Sequence, residues 1–288
     1  MVGLAGFAMG GRFRALLIAV ATSGSLLFAW IAAALAGLVI LRKGYGEGLW
    51  LTLWALLPAM VVTQVTGDSS AVALIGGAAV LAMVLRGSVS MTLTVLATTA
   101  VALATSVSLL MFSQPMLDEL SRLFAEFFAS LDAQAQSSGG TPMGLQPPSS
   151  LQLAGMMGTA NGALSYLCLA LARYWQAGLY NPGGFGDEFR ALRFPPAVVW
   201  GLALAAVGIM SLGLVWRSWG AALLLPLTVA GFALLHARAK YRGQSGFWMG
   251  GIYAAWLVFD AAKLALVGLV LVDALLNFRQ RWKSPPQD

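Results

Sequence analysis

The chain contains one cysteine, Cys168, and one histidine, His236. An intramolecular disulfide needs a second cysteine, and a zinc or haem site built from these residues needs more ligands than the chain has. No nucleotide-binding, kinase, zinc-protease or serine-hydrolase motif occurs, and no nucleophile with a matching base is recognisable. We therefore expect no metal, no cofactor and no enzymatic activity.

Charged residues are also scarce. They make up 10% of the chain, while 59% of the residues are hydrophobic and the mean hydropathy is +0.80. Soluble domains carry about 25% charged residues. This composition predicts an all-α, polytopic helix bundle in a membrane.

The chain nevertheless has a net charge of +6. In a soluble protein this charge would suggest nucleic acid as a partner, but here the basic residues flank apolar runs. They are typical of topology signals and of contacts with lipid headgroups. We expect the lipid bilayer as the main partner, and no nucleic acid.

About eight apolar segments follow one another, and most are long enough for a crossing, which takes about 20 residues. We divide the chain into N-terminal membrane helices (1–112), an extramembrane part (113–150) and C-terminal membrane helices with a short basic tail (151–288). The predicted segments are 15–41, 49–66, 69–85, 89–112, 151–180, 196–216, 221–235 and 246–277.

The extramembrane part begins with an amphipathic pattern. From Leu117 to Leu131 the apolar positions step by three and four, which predicts a helix over 113–131. The Gln, Ser, Gly and Pro residues of 134–150 predict a flexible loop. Two alternatives stay open for the helix: it lies on the membrane interface, or it binds a partner subunit or a second copy of the chain.

Orientation depends on whether the first and last segments cross. If every segment crosses once, Lys and Arg divide seven to eight between the two sides; if segments 15–41 and 246–277 bend back, the division becomes 13 to 2. The second division is the bias expected of a bacterial inner-membrane protein. The interruption at Ser23-Gly24-Ser25 favours it, and it places both termini in the cytoplasm and 113–150 in the periplasm.

Four polar residues within the apolar segments are ligand-binding candidates. Asp260 and Lys263 lie on one helix face in the last segment, where charge is rare and costly. They form a ligand or proton site, or a pair that satisfies itself. Asn161 belongs to a polar stripe with Ser165 and Tyr166 that could instead bond neighbouring helices. For Asp273, the alternative to ligand binding is a polar cluster at the end of the helix.

Ala29, Ala33 and Gly37 form a ladder of small residues on the first segment. This spacing permits close helix contact. The contact would be inside the bundle or with another membrane subunit.

The most distinctive stretch is RYWQAGLYNPGGFGDEFRALRFPP, from Arg173 to Pro196. The sequence Asn181-Pro182-Gly183-Gly184 predicts a sharp turn. Arg173, Trp175 and Tyr180 are predicted to anchor the preceding helix at the membrane interface.

This stretch, the Leu41-Arg42-Lys43-Gly44 step and the ending GLVLVDALLNFRQR from Gly268 to Arg281 resemble the YybS-like family of uncharacterised bacterial inner-membrane proteins. That family carries a domain-of-unknown-function label and is distantly similar to the S components of energy-coupling-factor transporters. The resemblance implies a small helical bundle with cytoplasmic termini, in which Ala29, Ala33 and Gly37 dock against a coupling subunit. The acidic 113–131 helix departs from the S-component pattern.

Two functional hypotheses follow. The first is a solute-binding or transport-associated membrane subunit whose cavity presents Asp260, Lys263 and Asn161. The alternative is a non-catalytic membrane scaffold that binds proteins through the 113–131 helix.

Overall fold

A computed structural model describes residues 2–25, 27–244 and 246–283, and these residues fold into α-helices joined by turns and loops. The first seven helices are α1 (Val2–Met9), α2 (Arg12–Ser23), α3 (Ala29–Lys43), α4 (Tyr45–Thr66), α5 (Ser70–Ser88), α6 (Met91–Phe112) and α7 (Gln114–Ser137). The next seven are α8 (Ser150–Tyr180), α9 (Gly184–Ala191), α10 (Pro196–Met210), α11 (Leu214–Tyr241), α12 (Gly246–Val258), α13 (Asp260–Leu276) and α14 (Phe278–Lys283).

The structure is all-helical in its described residues, but fewer helices qualify as membrane spans than the number of predicted apolar segments. Within the described ranges, α4, α5, α6 and α11 are long and apolar enough to cross a bilayer. The pairs α9–α10 and α12–α13 are bent by 72° and 115°, and counting each pair as one span raises the total from four to six. The structure therefore does not clearly give eight spans from the eight predicted segments. Segment 15–41 is split into α2 and α3, and α8 is one unbroken helix that is not among the candidate spans.

The first predicted segment is broken where Ser23-Gly24-Ser25 interrupts it. Arg12, at the start of α2, lies 3.6 Å from Glu47 at the start of α4, and Gly24 lies against Pro58 in the middle of α4. Helix α3 then ends at Lys43, two residues before α4 begins. Helices α2 and α3 therefore form a hairpin that turns near Pro58 and returns to its starting end.

The last predicted segment is a second hairpin. His236 near the end of α11 is 2.7 Å from the Tyr253 hydroxyl of α12, and Gly231 of α11 packs against Leu266 of α13. Both helices thus contact the C-terminal half of α11, and the chain turns between them at Phe259. The hairpin also returns to its starting end.

Helix α8 lies at the centre of the bundle and contacts α3, α5, α6 and α11. It has 31 residues, which corresponds to about 46 Å. Glycine allows its closest contact, since a Cβ on Gly162 would lie 2.6 Å from that of Ala102 on α6. The hydroxyl and backbone of Ser106 similarly leave no room for a side chain at Gly158.

Two predicted boundaries in the second half are wrong. The predicted break at 217–220 lies inside α11, and the actual break is at Ser211–Gly213, where Gly213 has a φ of 129°. The apolar segment predicted to end at residue 235 continues as a helix to Tyr241. A single charge near the end of an apolar run does not break a helix, whereas a glycine in the left-handed region does.

The amphipathic helix predicted over 113–131 is present as α7 and continues to Ser137. Leu117 is its buried residue and packs with Leu109 of α6 and Leu153 of α8. Residues 141–149 have no regular secondary structure. The predicted loop therefore begins later than expected.

Candidate functional site

The two ends of the bundle differ in charge. Arg42 lies over the Tyr180 ring at 4.0 Å, and Lys240 pairs with Asp187 at 3.1 Å, which places the ends of α3, α8 and α11 together with α9. We call this the basic end. Its described basic residues are Arg12, Arg14, Arg42, Lys43, Arg86, Arg173, Arg190, Arg193, Arg238, Lys240, Arg242, Arg279 and Arg281.

The opposite end, which we call the acidic end, joins α4 to α5, α6 to α7, and α10 to α11. Ser69 and Ser113 share a 2.9 Å hydrogen bond there, and the Ser218 hydroxyl donates to the Gln152 carbonyl. The Arg122 hydrogen bond lowers the pKa of the Glu119 carboxyl. The charged side chains of the described residues at this end are Asp68, Asp118, Glu119, Arg122, Glu126, Asp132 and Arg217.

A cavity of about 270 Å³ lies between α6, α8, α11 and α12, with one side chain from α9. Aromatic and aliphatic side chains form most of its wall, as is usual for small-molecule sites. We call it the aromatic cavity. Its lining residues are Thr98, Ala163, Tyr166, Leu167, Phe189, Leu225, Thr228, Val229, Phe232, Tyr253, Trp256 and Leu257.

The aromatic rings hold one another in fixed positions. Phe232 on α11 stacks on Tyr253 of α12, with ring centroids 4.6 Å apart, and meets Trp256 edge to face at 5.5 Å. The Tyr253 hydroxyl is fixed by its hydrogen bond to His236. Such ring pairs add about 0.5–1.5 kcal/mol each beyond the area that they bury, so the wall formed by α11 and α12 is preformed.

Two hydrogen-bond donors in the cavity wall have no partner among the described residues. They are the hydroxyl of Tyr166, which is 6% exposed, and the indole N–H of Trp256. The other hydroxyls are occupied, since Thr98 donates to the Val95 carbonyl and Thr228 to the Leu224 carbonyl. A buried donor without a partner costs about 1–3 kcal/mol. Both atoms are covered by neighbouring side chains, so an acceptor in the cavity would recover this cost only after those side chains move.

None of the described residues in the cavity wall has a charged side chain, and the outer rim of the cavity faces the side of the bundle. Leu167 and Leu257 belong to the wall and are 59% and 69% exposed. In a bilayer these leucines contact lipid chains. The cavity therefore suits an uncharged, mainly apolar ligand that reaches it from the membrane.

A second pocket, of about 350 Å³, lies at the basic end. Its Arg86 guanidinium donates to the carbonyls of Ile40 and Leu41 at 3.0 and 2.7 Å, which closes the last turn of α3. Arg173 in the same wall pairs with Glu188 of α9. These cations are engaged within the chain, so this pocket ties helices together.

The predicted site pair, Asp260 and Lys263, lies at the turn of the α12–α13 hairpin. The Lys263 ammonium is 2.8 Å from the Asp260 carboxylate, whose side chain is 92% exposed. Neither residue lines the aromatic cavity. The structure therefore separates this pair from the candidate ligand pocket.

The other two predicted ligand residues bond within the chain. The Asn161 amide donates to the Ser70 carbonyl at 2.9 Å and joins α8 to α5. Asp273 accepts from the Phe278 backbone N–H at 2.8 Å. Burial lowers the pKa of the adjacent Arg279, and the Asp273 charge opposes this shift. Both arrangements match the structural alternatives predicted for these residues.

The ladder of Ala29, Ala33 and Gly37 is buried inside the chain. A Cβ on Gly37 would lie 3.3 Å from that of Ala172 on α8 and 3.8 Å from that of Ala82 on α5. The ladder thus provides internal packing. Because α5 and α8 cover these residues, they are not available for the predicted contact with a coupling subunit.

The central motif forms the predicted turn, with one correction. Asn181 accepts the Gly184 N–H, Gly183 has a φ of 86°, and the exposed Pro182 lies between them. Trp175, predicted as an interfacial anchor, is fully buried in the cluster formed by α2, α3, α4, α5 and α8. Helices α1 and α3 cover this part of α8. The apolar pattern of α8 alone does not indicate that other helices cover it.

Sequence reasoning missed most of the aromatic cavity. Tyr166 belonged to the predicted polar stripe, but Phe189, Phe232, Tyr253 and Trp256 come from three other helices. The available signal was the three-residue spacing of Tyr253 and Trp256, which places two amphipathic rings on one face of a helix.

Comparison with known proteins adds no relative: no family model, no curated protein and no solved structure matches the chain. Among the described residues, no group of three or more His, Cys, Asp or Glu side chains is arranged to hold a metal ion. The chemistry of the candidate site therefore rests on the aromatic cavity alone.

Proposed function

We propose that this membrane-embedded protein binds a small, uncharged ring compound in the aromatic cavity. The observation that carries the proposal is the aromatic and aliphatic wall of the cavity. Tyr166 and Trp256 in this wall also have covered donors without a partner among the described residues, and a ligand that displaces their neighbours would bond to them. The ligand would be flat enough to lie beside Phe232 and would carry one or two hydrogen-bond acceptors.

The size of the cavity limits the ligand. Drug-sized molecules occupy sites of about 300–1,000 Å³, and this cavity, of about 270 Å³, is just below that range. One or two fused rings with a carbonyl group fit these dimensions. A charged solute does not, because the wall offers no counter-ion and burial of a lone charge is costly.

We extend this proposal to the orientation of the protein in the membrane and to its role in the cell. With the basic end in the cytoplasm, the protein obeys the positive-inside rule of a bacterial inner membrane. A binding subunit of a transport system is consistent with a cavity that opens to the side of the bundle. The resemblance to S components stays a prediction from the sequence.

The test compares two ligands that differ in one acceptor. We would measure the melting temperature of the detergent-purified protein with 1-tetralone, a bicyclic ketone, and with tetralin, its hydrocarbon counterpart. Stabilisation reaches about 2.7 kcal/mol when the ligand is at a hundredfold excess over its dissociation constant. We expect 1-tetralone to bind about two- to tenfold more tightly, since one hydrogen bond contributes about 0.5–1.5 kcal/mol.

Two variants control this comparison. Tyr166→Phe removes a donor and keeps the ring, so it should reduce the preference for the ketone. Ala163→Phe should fill the cavity and abolish the stabilisation by both compounds. If the two compounds leave the melting temperature of the parent unchanged, or if Ala163→Phe responds like the parent, the aromatic cavity is not the binding site.

The alternative function is a scaffold that binds proteins through α7. The observation favouring it is the exposed apolar face of this helix, where Leu123, Phe124 and Phe127 are 47%, 38% and 55% exposed. Replacing these three residues with Ser should then abolish co-purification of a partner while the melting temperature is kept. Unchanged co-purification would remove this alternative.

A further inference from the structure

The turn of the α12–α13 hairpin places an ion pair on the outside of the bundle. Lys263 and Asp260 bond at 2.8 Å, and the Asp260 side chain remains 92% exposed. The neighbouring apolar residues are exposed as well: Leu257, Val258, Phe259 and Leu264 range from 60% to 71%. We call these six residues the hairpin tip.

The hairpin tip lies beside the middle of the bundle, far from its two ends. Leu266 packs against Gly231 of α11, and Asp260 precedes Leu266 by about 9 Å of helix. Leu257, on the other arm, shares the aromatic cavity with Leu225. Both arms therefore place the tip beside the middle of α11 and away from either end of the bundle.

Charges at this depth are expensive when lipid surrounds them. A charged side chain at the centre of a bilayer costs at least about 2.5–3.5 kcal/mol, and such residues face protein or water in known membrane proteins. The bond between Asp260 and Lys263 neutralises the pair but leaves the carboxylate uncovered. The described part of the chain does not cover it, so another protein surface is needed.

We propose that the hairpin tip is a contact between two copies of this chain. The tip carries one acid and one base on one helix face, so its net charge is zero. A two-fold interface brings the same patch of each subunit together. Asp260 of each copy can then meet Lys263 of the other, and Val258, Phe259 and Leu264 surround the four charges. The patch is complementary to itself.

Charge reversal tests this pairing without any ligand. Asp260→Lys gives two cations per tip and Lys263→Asp gives two anions, so each variant alone should repel its own copy. A mixture should form heterodimers, at least about tenfold in excess over either self-pair. Two differently tagged variants would be reconstituted together in lipid vesicles, and subunit pairs counted by single-molecule photobleaching.

Controls separate association from folding. The double variant Asp260→Lys, Lys263→Asp should dimerise like the parent, and Glu126→Lys on the distant α7 should not alter dimerisation. As an independent measurement, Val258→Cys in a Cys168→Ala background should form a disulfide-linked dimer in vesicles with an oxidant. A parent that stays monomeric at all protein-to-lipid ratios, a mixture without heterodimers, or a Val258→Cys protein that does not crosslink overturns the proposal.

Discussion

The chain contains two helical hairpins that return to the basic end, and they differ in how far their arms are covered. Both turns are exposed, at Leu27 and Phe28 in the first hairpin and at Val258 and Phe259 in the second. The α2–α3 hairpin is covered, because α3 packs against α4, α5 and α8 and its residues from Ala32 to Ile40 are buried. The α12–α13 hairpin covers the aromatic cavity with one arm and leaves its turn bare. One hairpin is part of the core, and the other is a surface element.

The sequences of the two hairpins explain this difference. Helix α3 is built from alanine, glycine and aliphatic residues, which let helices approach closely. Helix α13 begins with Asp260, and charge at that position prevents close burial against an apolar neighbour. A broken backbone inside a membrane needs shelter. Helix α3 of the first hairpin is sheltered within the chain, whereas Asp260 of the second hairpin is not covered by the described residues.

The largest expected contrast comes from leucines in matched positions. Leu35 on α3 is fully buried and Leu264 on α13 is 69% exposed. Leu35→Ala should cost about 2–5 kcal/mol of unfolding free energy, because it opens a cavity. Leu264→Ala should stay within about 0.5 kcal/mol. Both changes are measured by denaturant unfolding of the detergent-purified protein, and equal losses would break the distinction between the hairpins.

A smaller contrast is expected between two glycines. A Cβ on Gly48 of α4 would lie 2.7 Å from the Cα of Ile40 on α3, whereas a Cβ on Gly250 of α12 meets nothing within 4 Å. Gly48→Ala should destabilise the protein by about 1–3 kcal/mol through overpacking. Gly250→Ala should be neutral or slightly stabilising, since alanine favours helix. Both effects are measured as changes in melting temperature. A Gly48→Ala variant that melts at the same temperature as the parent would contradict the close packing of α3 against α4.

The smallest effect is expected at the open end of the first hairpin. Arg12 lies 3.6 Å from Glu47 and stacks on the Trp50 ring at 3.7 Å, but the two charged side chains are nearly half exposed. Arg12→Gln should cost less than about 1 kcal/mol, because exposed ion pairs are screened. The loss should shrink further in high salt. A larger cost, or one independent of salt, would show that the core extends to this end.

Local features of the fold were predictable from the sequence. The interruption at Ser23-Gly24-Ser25, the turn at Asn181-Pro182-Gly183-Gly184 and the amphipathic α7 all depend on residues close together in the chain. Boundaries based on charge alone were less accurate, as Arg217 inside α11 shows. Local chemistry determines where a helix breaks, so short sequence windows suffice for these elements.

Contacts between distant helices were not predictable in the same way. Trp175 is buried because α1 and α3 fold over the end of α8, more than 130 positions away in the sequence. Tyr166 and Trp256 meet the same cavity from α8 and α12. The apolar pattern of each helix is nearly uniform around its circumference, so periodicity does not indicate which side faces a neighbour.

The charge difference between the two ends bears on how the protein is inserted. With the basic end in the cytoplasm, the described segments that must be carried across the bilayer hold Asp68, Asp118, Glu119, Glu126 and Asp132 against Arg122 and Arg217. A potential that is positive outside pulls a net negative segment outward, by about 2.3 kcal/mol per charge for each 100 mV. The membrane potential would therefore assist translocation of α7 across the bilayer during synthesis. It would oppose translocation of the basic residues at the open ends of the two hairpins.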